Sequence, residues 1–261
     1  MNPGSRRVLV TGAASGLGAA LTAAFRARGD EVLATDIEGE ADAAGPTDVR
    51  RLDVTSDDDW AAALAHVEET WGGLDVLVNN AGVAGGGRLD VATLEEWEWI
   101  TEINLFGVVR GTRTFVPVFK RQRSGRIVNV ASLAGLVHPA GMASYNAVKA
   151  AVVALTETTG HELAAYGVRA HVVCPSYFRT HLMDSVRGAD TALTGVVRQL
   201  VECSPLTADD IAAAVLAGID RDEELIVPDP FARQAWELKQ TDRAAYDAVM
   251  RAQAAKLEER S

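Results

Sequence analysis

Val8-Leu9-Val10-Thr11-Gly12-Ala13-Ala14-Ser15-Gly16-Leu17-Gly18 is the stretch on which the fold of this chain turns. A short apolar strand pattern runs into a glycine-rich turn, and an apolar helical run begins at Leu17, which is the opening of a βα unit. Without Cβ atoms the glycines let the backbone turn sharply and approach a diphosphate, whose charge would meet the unsatisfied N–H groups of the helix start. The spacing G-x-x-x-G-x-G is not the commoner G-x-G-x-x-G fingerprint. By itself the turn is also compatible with a purely structural role.

Working outward, short β-branched runs alternate with longer helical patterns along the whole chain, and this alternation predicts one parallel sheet in an α/β fold. The strands read are Val8–Val10, Glu31–Ala34, Arg50–Val54, Leu74–Val78, Arg126–Val130, Arg169–Val173 and Leu225–Val227. Helix starts are marked by Ser56 with Asp59, Thr93 with Glu96 and Thr207 with Asp210, each of the S/T-x-x-D/E form. Gly29, Gly72 and Gly167 stand where a helix ends and a strand follows, a place that favours left-handed backbone. With no internal repeat and no long linker, one domain over 1–261 is the simpler reading, its residues 229–261 forming a charged helical extension.

The 261 residues carry 25 Lys plus Arg against 36 Asp plus Glu, a formal net charge of −11, which argues against nucleic acid as a partner. The longest apolar runs, such as Ala150–Leu155, fall far short of the ~20 residues that span a bilayer. Met1–Arg7 lacks a signal-peptide core, so no membrane partner is expected and a cytoplasmic place is the default. Two cysteines and five scattered histidines make neither a disulfide framework nor a metal site.

Asp36 follows the second strand, 18 residues beyond Gly18 (36 − 18), close to the spacing of an acid that binds an adenosine ribose. Its carboxylate would accept both ribose hydroxyls, and it would repel a 2′-phosphate at about 4 Å by on the order of 4 kcal/mol per unit charge at an effective dielectric of about 20. Ser15 and Ile37, beside the loop and the acid, bring no cation to reverse this, so NAD is expected over NADP. A solvated loop aspartate is the plainer alternative for Asp36 alone.

Tyr145 and Lys149 lie four apart in a run where Val148, Val152 and Leu155 recur at helical spacing, which puts both side chains on one face, about 6 Å apart along the axis. A lysine ammonium beside the phenol, helped by the positive charge of an oxidised nicotinamide, would favour phenolate. Moving the phenol from about 10 to about 7 needs about 4 kcal/mol.

Taken in order, Thr11-Gly12-x-x-x-Gly16-x-Gly18, Asn79-Asn80-Ala81-Gly82, Asn104, Ser132 and Tyr145-x-x-x-Lys149 resemble the short-chain dehydrogenase/reductase family over about residues 6 to 228. The resemblance implies a Rossmann fold, with a doubly wound seven-stranded parallel sheet and helices on both faces. It implies Tyr145 as general acid/base, Lys149 lowering its pKa and holding the nicotinamide ribose, Ser132 on the substrate oxygen, and Asn104 holding a relay water. For the cofactor it implies Gly12, Ser15, Gly16, Leu17, Gly18, Asp36 and Ile37 around the diphosphate and ribose. Asp53 and Val54 would then lie at the adenine, Asn80, Ala81 and Gly82 along the adenosine side, and Pro175, Phe178 and Thr180 at the nicotinamide end. The family's helices after Trp97 and around Tyr145 imply a homo-oligomer, dimer or tetramer.

In alcohol oxidation Tyr145 phenolate would take the hydroxyl proton while hydride leaves the carbinol carbon, and Ser132 would steady the charge developing on oxygen, with no metal required. Two departures stand out. The family's Pro-Gly after the sixth strand is Pro175-Ser176, and Pro228-Asp229-Pro230 leads into the tail, whose Trp236, Leu238, Tyr246 and Met250 offer area to dock on the active site, a subunit interface or nothing. Leu136, Val137, His138, Met142, Tyr177, Phe178, Leu182 and Met183 form a mostly apolar inventory, which points to a bulky secondary alcohol or ketone as the small-molecule substrate. Arg179 and Arg187 bind an acidic group or simply stay solvated, and His138 is a pocket donor or a loop residue. Three activities compete: an NAD-dependent alcohol dehydrogenase or ketone reductase, an NADPH-dependent ketoreductase, and a catalytically silent NAD-binding regulator.

Overall fold

A computed structural model describes residues 4–39, 48–180, 182 and 185–259. In chain order they form β1 (Arg7–Thr11), α1 (Gly16–Ala27), β2 (Glu31–Asp36), β3 (Arg50–Arg51), α2 (Asp57–Trp71), β4 (Val76–Asn79) and α3 (Leu94–Thr101). There follow α4 (Gly107–Gln122), β5 (Gly125–Val130), α5 (Ala134–Val137), α6 (Ala143–Leu163) and β6 (Val168–Val173). The chain closes with α7 (Thr191–Glu202), α8 (Ala208–Asp220), β7 (Leu225–Ile226), α9 (Pro230–Thr241) and α10 (Arg243–Glu258). A π-helical turn, Glu102–Phe106, joins α3 to α4.

All strand pairs are parallel, in the order β3-β2-β1-β4-β5-β6-β7. The chain winds outward from β1 to β3, then crosses back to β4 and winds the other way. The carboxyl ends of β1 and β4 therefore flank the switch point, where such sheets open a crevice.

Strand side chains alternate between the two faces, and each face has its own helices. Val8 and Val10 pack with Leu21, Phe25, Ile211, Val215 and Leu216 of α1 and α8. Leu9 packs on the opposite face with Trp60, Val67, Phe115 and Phe119 of α2 and α4. Both sides of the sheet are thus covered, which is why its strands read as continuous apolar runs.

The expected helix starts hold. Ser56, Thr93 and Thr207 each accept the backbone N–H three residues on, and Thr207 with Asp210 closes a full capping box. Gly72 and Gly167 cap in left-handed backbone at φ 68° and 69°. The third strand is shorter than read from sequence: after Arg51 the Asp53 carboxylate accepts from Thr55 N and Oγ1, and the chain turns out of the ladder. The fourth begins later, at Val76, because Leu74 gives its N–H and carbonyl to the Gln122 amide at 2.9 and 2.6 Å.

Candidate active site

The glycine turn is built for close approach. Gly12 and Gly16 take left-handed φ of 66° and 53°. A Cβ on Gly12 would stand 2.8 Å from Ala81 Cα, and one on Gly18 would overlap the Gly12 carbonyl. Asn80 Nδ2 donates to the Thr11 and Gly12 carbonyls at 2.9 and 3.1 Å, while Thr11 Oγ1 accepts from Asn80 N and Ala81 N, both at 3.0 Å. Asn80 and Ala81 thus brace the turn. Ser15 enters α1 in extended backbone with no side-chain cap, and the first turn holds no acid, so its N–H groups are left for a ligand. The cradle fits a diphosphate; Leu17 supplies backbone there, since its side chain is buried.

Asp36 ends β2 beside this cradle. Its two oxygens accept from Ala14 N at 3.0 Å and Ile37 N at 2.7 Å, so the carboxylate also ties the turn down. Ile37 is 55% exposed and packs on little. One neighbour escaped the sequence reading: Arg51 lies in register with Asp36 across the β2–β3 pair, its guanidinium held 2.8 Å from Asp59. The signal was only a basic pair in a short strand, and which strand adjoined β2 was decided by the sheet.

Other candidates fall into two groups. Asp53 uses one oxygen on Thr55, and the Val54 carbonyl is taken by the Trp60 indole at 3.0 Å. Gly82 lies against Asn104, where a Cβ would stand 2.9 Å from Oδ1. At the other end of the crevice the Pro175 carbonyl accepts from Leu133 N at 2.8 Å. Thr180 Oγ1 stands 2.8 Å from where a Cβ on Gly16 would be, so Thr180 reaches the diphosphate cradle itself. Phe178 is buried in one apolar cluster with Ala13 and Leu17 of the turn and Ile211 of α8. Ser176, in place of the family's glycine, is not among the described residues with positive φ, and its hydroxyl donates to Asp229 at 2.5 Å. The turn therefore needs no glycine and is instead tied to the N-cap of α9.

The chemistry-bearing side chains converge where β5 ends and α6 begins. Ser132 Oγ accepts from Ala134 N at 3.1 Å, and its hydroxyl lies near enough to the Tyr145 phenol to favour phenolate. Lys149 Nζ lies 5.8 Å from the Tyr145 ring centroid and donates to the Val130 carbonyl at 3.0 Å. Burial pushes the phenol up to about 12, with the Ser132 hydroxyl pulling the other way. Burial likewise pushes the ammonium down to about 8. Desolvation thus disfavours both charged forms here, and the expected lowering of the phenol is the one that Lys149 would give with the help of an oxidised nicotinamide's charge.

Asn104 is fully buried in the π-helical turn, its amide clamping Val83 by N–H to Oδ1 at 2.8 Å and Nδ2 to carbonyl at 2.9 Å. It thus holds the loop after β4 against α6's side of the crevice, a constraint on a local helix irregularity. Behind it Asn79 donates to Asn129, and Asn129 to Thr156, at 2.8 and 3.0 Å. This buried polar chain was invisible in sequence because its members are 50 and 27 residues apart.

Fold and site together define a nicotinamide-dependent oxidoreductase. A family profile described as short chain dehydrogenase matches residues 6–191. The 2-(R)-hydroxypropyl-CoM dehydrogenase of Xanthobacter autotrophicus is 35% identical, over 83% of this chain and 92% of its own length. The 3-alpha-(or 20-beta)-hydroxysteroid dehydrogenase of Mycobacterium tuberculosis is 39% identical, over 68% of this chain and 71% of its own. A short chain dehydrogenase/reductase from Burkholderia phymatum, solved in complex with NAD, superposes with a TM-score of 0.82 at 28% identity, covering 91% of this chain and 94% of that one. The chain belongs to the short-chain dehydrogenase family.

Proposed function

We propose that this protein transfers hydride between NAD and a bulky, largely apolar secondary alcohol or the corresponding ketone. The observation that carries the reading is the Tyr145 phenol with Lys149 against its ring and Ser132 near it, in a fold whose glycine turn is shaped for a diphosphate. Bound oxidised NAD supplies the hydride acceptor and a positive charge. The chain does the rest: Ser132 donates to the substrate oxygen, and Tyr145 takes the hydroxyl proton in oxidation or returns it in reduction. Lys149, fixed by the Val130 carbonyl, is placed to hold a ribose hydroxyl and to favour phenolate while charged. Asp36, with no cation of its own, supports NAD.

The apolar character of the substrate rests on Met142, Leu193, Tyr177 and Leu182 around the crevice. The name of the mycobacterial hydroxysteroid relative agrees with a large alicyclic substrate. Phe178 is buried with Ala13, Leu17 and Ile211, His138 is turned toward the C-terminal tail, and Met183 lies outside the described residues. Arg187 stacks 5.1 Å from the Trp99 ring centroid, which supports a structural part over capture of an acid. The NADPH-dependent reading has Arg51 in its favour, but that guanidinium is paired with Asp59. A homo-oligomer in the cytoplasm completes the proposal; no described helix is long and apolar enough to cross a membrane.

Assay of NADH formation over a panel of alicyclic, aromatic and small hydroxy-acid alcohols tests the reading: turnover is expected with the alicyclic members. Preference for a small carboxylate would overturn the apolar substrate, and NAD binding without turnover across the panel would point to a regulator. The pH dependence has a definite sign. Oxidation needs phenolate, and burial raises the phenol's pKa, so its rate is expected to climb with pH between about 6 and about 10. Ketone reduction needs the phenol and should hold steady at low pH and fall as the phenol ionises. Initial rates in both directions check this, and oxidation that slows over that range counts against Tyr145 as the base.

A further inference from the structure

The C-terminal helices are not a surface appendage; they grip the loop that joins Ser132 to Tyr145. Lys239 of α9 donates to the Leu136 carbonyl at 2.5 Å and lies 2.7 Å from His138 Nδ1. Because the ammonium can only donate, that nitrogen accepts, and His138 Nε2 carries the proton toward the Gly135 carbonyl at 3.1 Å. Tyr246 of α10 donates to the Val137 carbonyl at 2.5 Å and is itself buried. A four-residue helix leaves its last carbonyls without partners, and a lysine at that end is favoured by them. Here α9 and α10 cap α5 in trans along the chain.

The far end of α10 is anchored as well. Leu257 is buried in one apolar cluster with Met142, Tyr145 and Leu193, and a Cβ on Gly141 would stand 2.8 Å from Leu257 Cδ2. Glu258 beside it pairs at 3.2 Å with Arg88, which also holds Asp190 at the N-cap of α7 at 2.8 Å. The tail therefore contacts the Ser132–Tyr145 loop at residues 136–138 and again at 141–142, and reaches Arg88. Met142, the residue it backs, is the N-cap of α6.

From this placement we propose that α9 and α10 form a fixed wall of the substrate crevice, and that Leu257 sets the size of alcohol or ketone the site accepts. The proposal rests on the dehydrogenase reading above. Leu257 and Leu193 both reach Gly141 and share one apolar cluster with Met142 and Tyr145, so removing the branches of Leu257 opens space beside the Tyr145 ring for the substrate's apolar body. The cofactor end is untouched, since the glycine cradle and Asp36 lie at the other side of the crevice.

The test compares wild type, Leu257→Ala and Leu257→Met on secondary alcohols graded from a short chain to a fused-ring alcohol. Leu257→Ala is expected to raise the large-to-small ratio of kcat/KM about tenfold through KM, the scale of one or two methylenes in an apolar pocket. NADH affinity, read by fluorescence, should stay as in wild type, and Leu257→Met should restore the wild-type profile. A ratio unchanged within about twofold in a folded Leu257→Ala protein overturns the proposal, because a merely structural role would scale all substrates alike. Hydrogen exchange reads the grip without turnover: Tyr246→Phe is expected to speed exchange about tenfold over residues 133–142 while β5 and β6 keep their protection. Unchanged exchange in that loop overturns the wall even where activity is present. Wild-type protein that oxidises no alcohol would remove the dehydrogenase reading instead, and accelerated exchange in Tyr246→Phe would still support the wall.

Discussion

Tyr145→Phe is expected to lower kcat by about a thousandfold or more in both directions while the protein folds and binds NADH as before. The phenol is 9% exposed, its ring packed with Met142, Val148 and Leu193, and phenylalanine keeps that packing. What goes is the one group positioned to exchange a proton with the substrate oxygen. Ser132 can still donate to that oxygen, but a serine hydroxyl is too weak an acid and base to replace the phenol. Losing the hydroxyl leaves the Ser132 oxygen its bond from Ala134 N, so the structural penalty is small. Circular dichroism and NADH fluorescence establish folding and binding, and single-turnover rates read the chemistry. Normal turnover by a folded Tyr145→Phe protein would remove the mechanism.

Asp36→Ala is expected to shift the ratio of NAD to NADP efficiency by about a hundredfold or more toward NADP. The like-charge repulsion it relieves is on the order of 4 kcal/mol at an effective dielectric of about 20. Arg51, in register with Asp36, then becomes the nearest charge to a 2′-phosphate, and it needs only to leave an exposed pair with Asp59. Because the carboxylate also accepts from Ala14 N, the alanine variant loosens the glycine turn, and both cofactors should bind somewhat more weakly. Asp36→Asn keeps an acceptor for that N–H while removing the charge, so it separates bracing from repulsion. An unchanged cofactor ratio in both variants would leave Asp36 as a turn brace only.

Much of this site was readable along the chain because its parts are local. The Gly12–Gly18 turn, the Ser56, Thr93 and Thr207 caps, and the four-residue step from Tyr145 to Lys149 each depend on backbone within a few residues, and all stand in the structure as read. Where the Phe178 ring settles is not legible in the sequence, because its apolar cluster with Ala13, Leu17 and Ile211 joins segments far apart in the chain. Arg51 and the Asn79–Asn129–Thr156 chain were missed for the same reason: their partners are distant in sequence.

The phenol illustrates a second kind of gap. Spacing put Lys149 beside Tyr145, but charge state depends on solvent, and both side chains are buried, the phenol ring in one cluster with Met142, Leu193 and Leu257. The tail shows the same division. Its helices are apparent from periodicity, while their docking on Leu136, Val137 and Met142 required the whole fold to bring residue 257 to residue 141.

Residue order alone thus determined the parallel α/β sheet, the left-handed glycine turn and the one-turn step from Tyr145 to Lys149, because hydrophobic period, glycine conformation and helical spacing act over one or two turns of chain. Tertiary structure decided which cation stands near Asp36, that burial opposes ionisation of Tyr145, and that α9 and α10 dock on the loop between Ser132 and Tyr145, because each of these follows from desolvation and contact between segments that meet only when the sheet is complete.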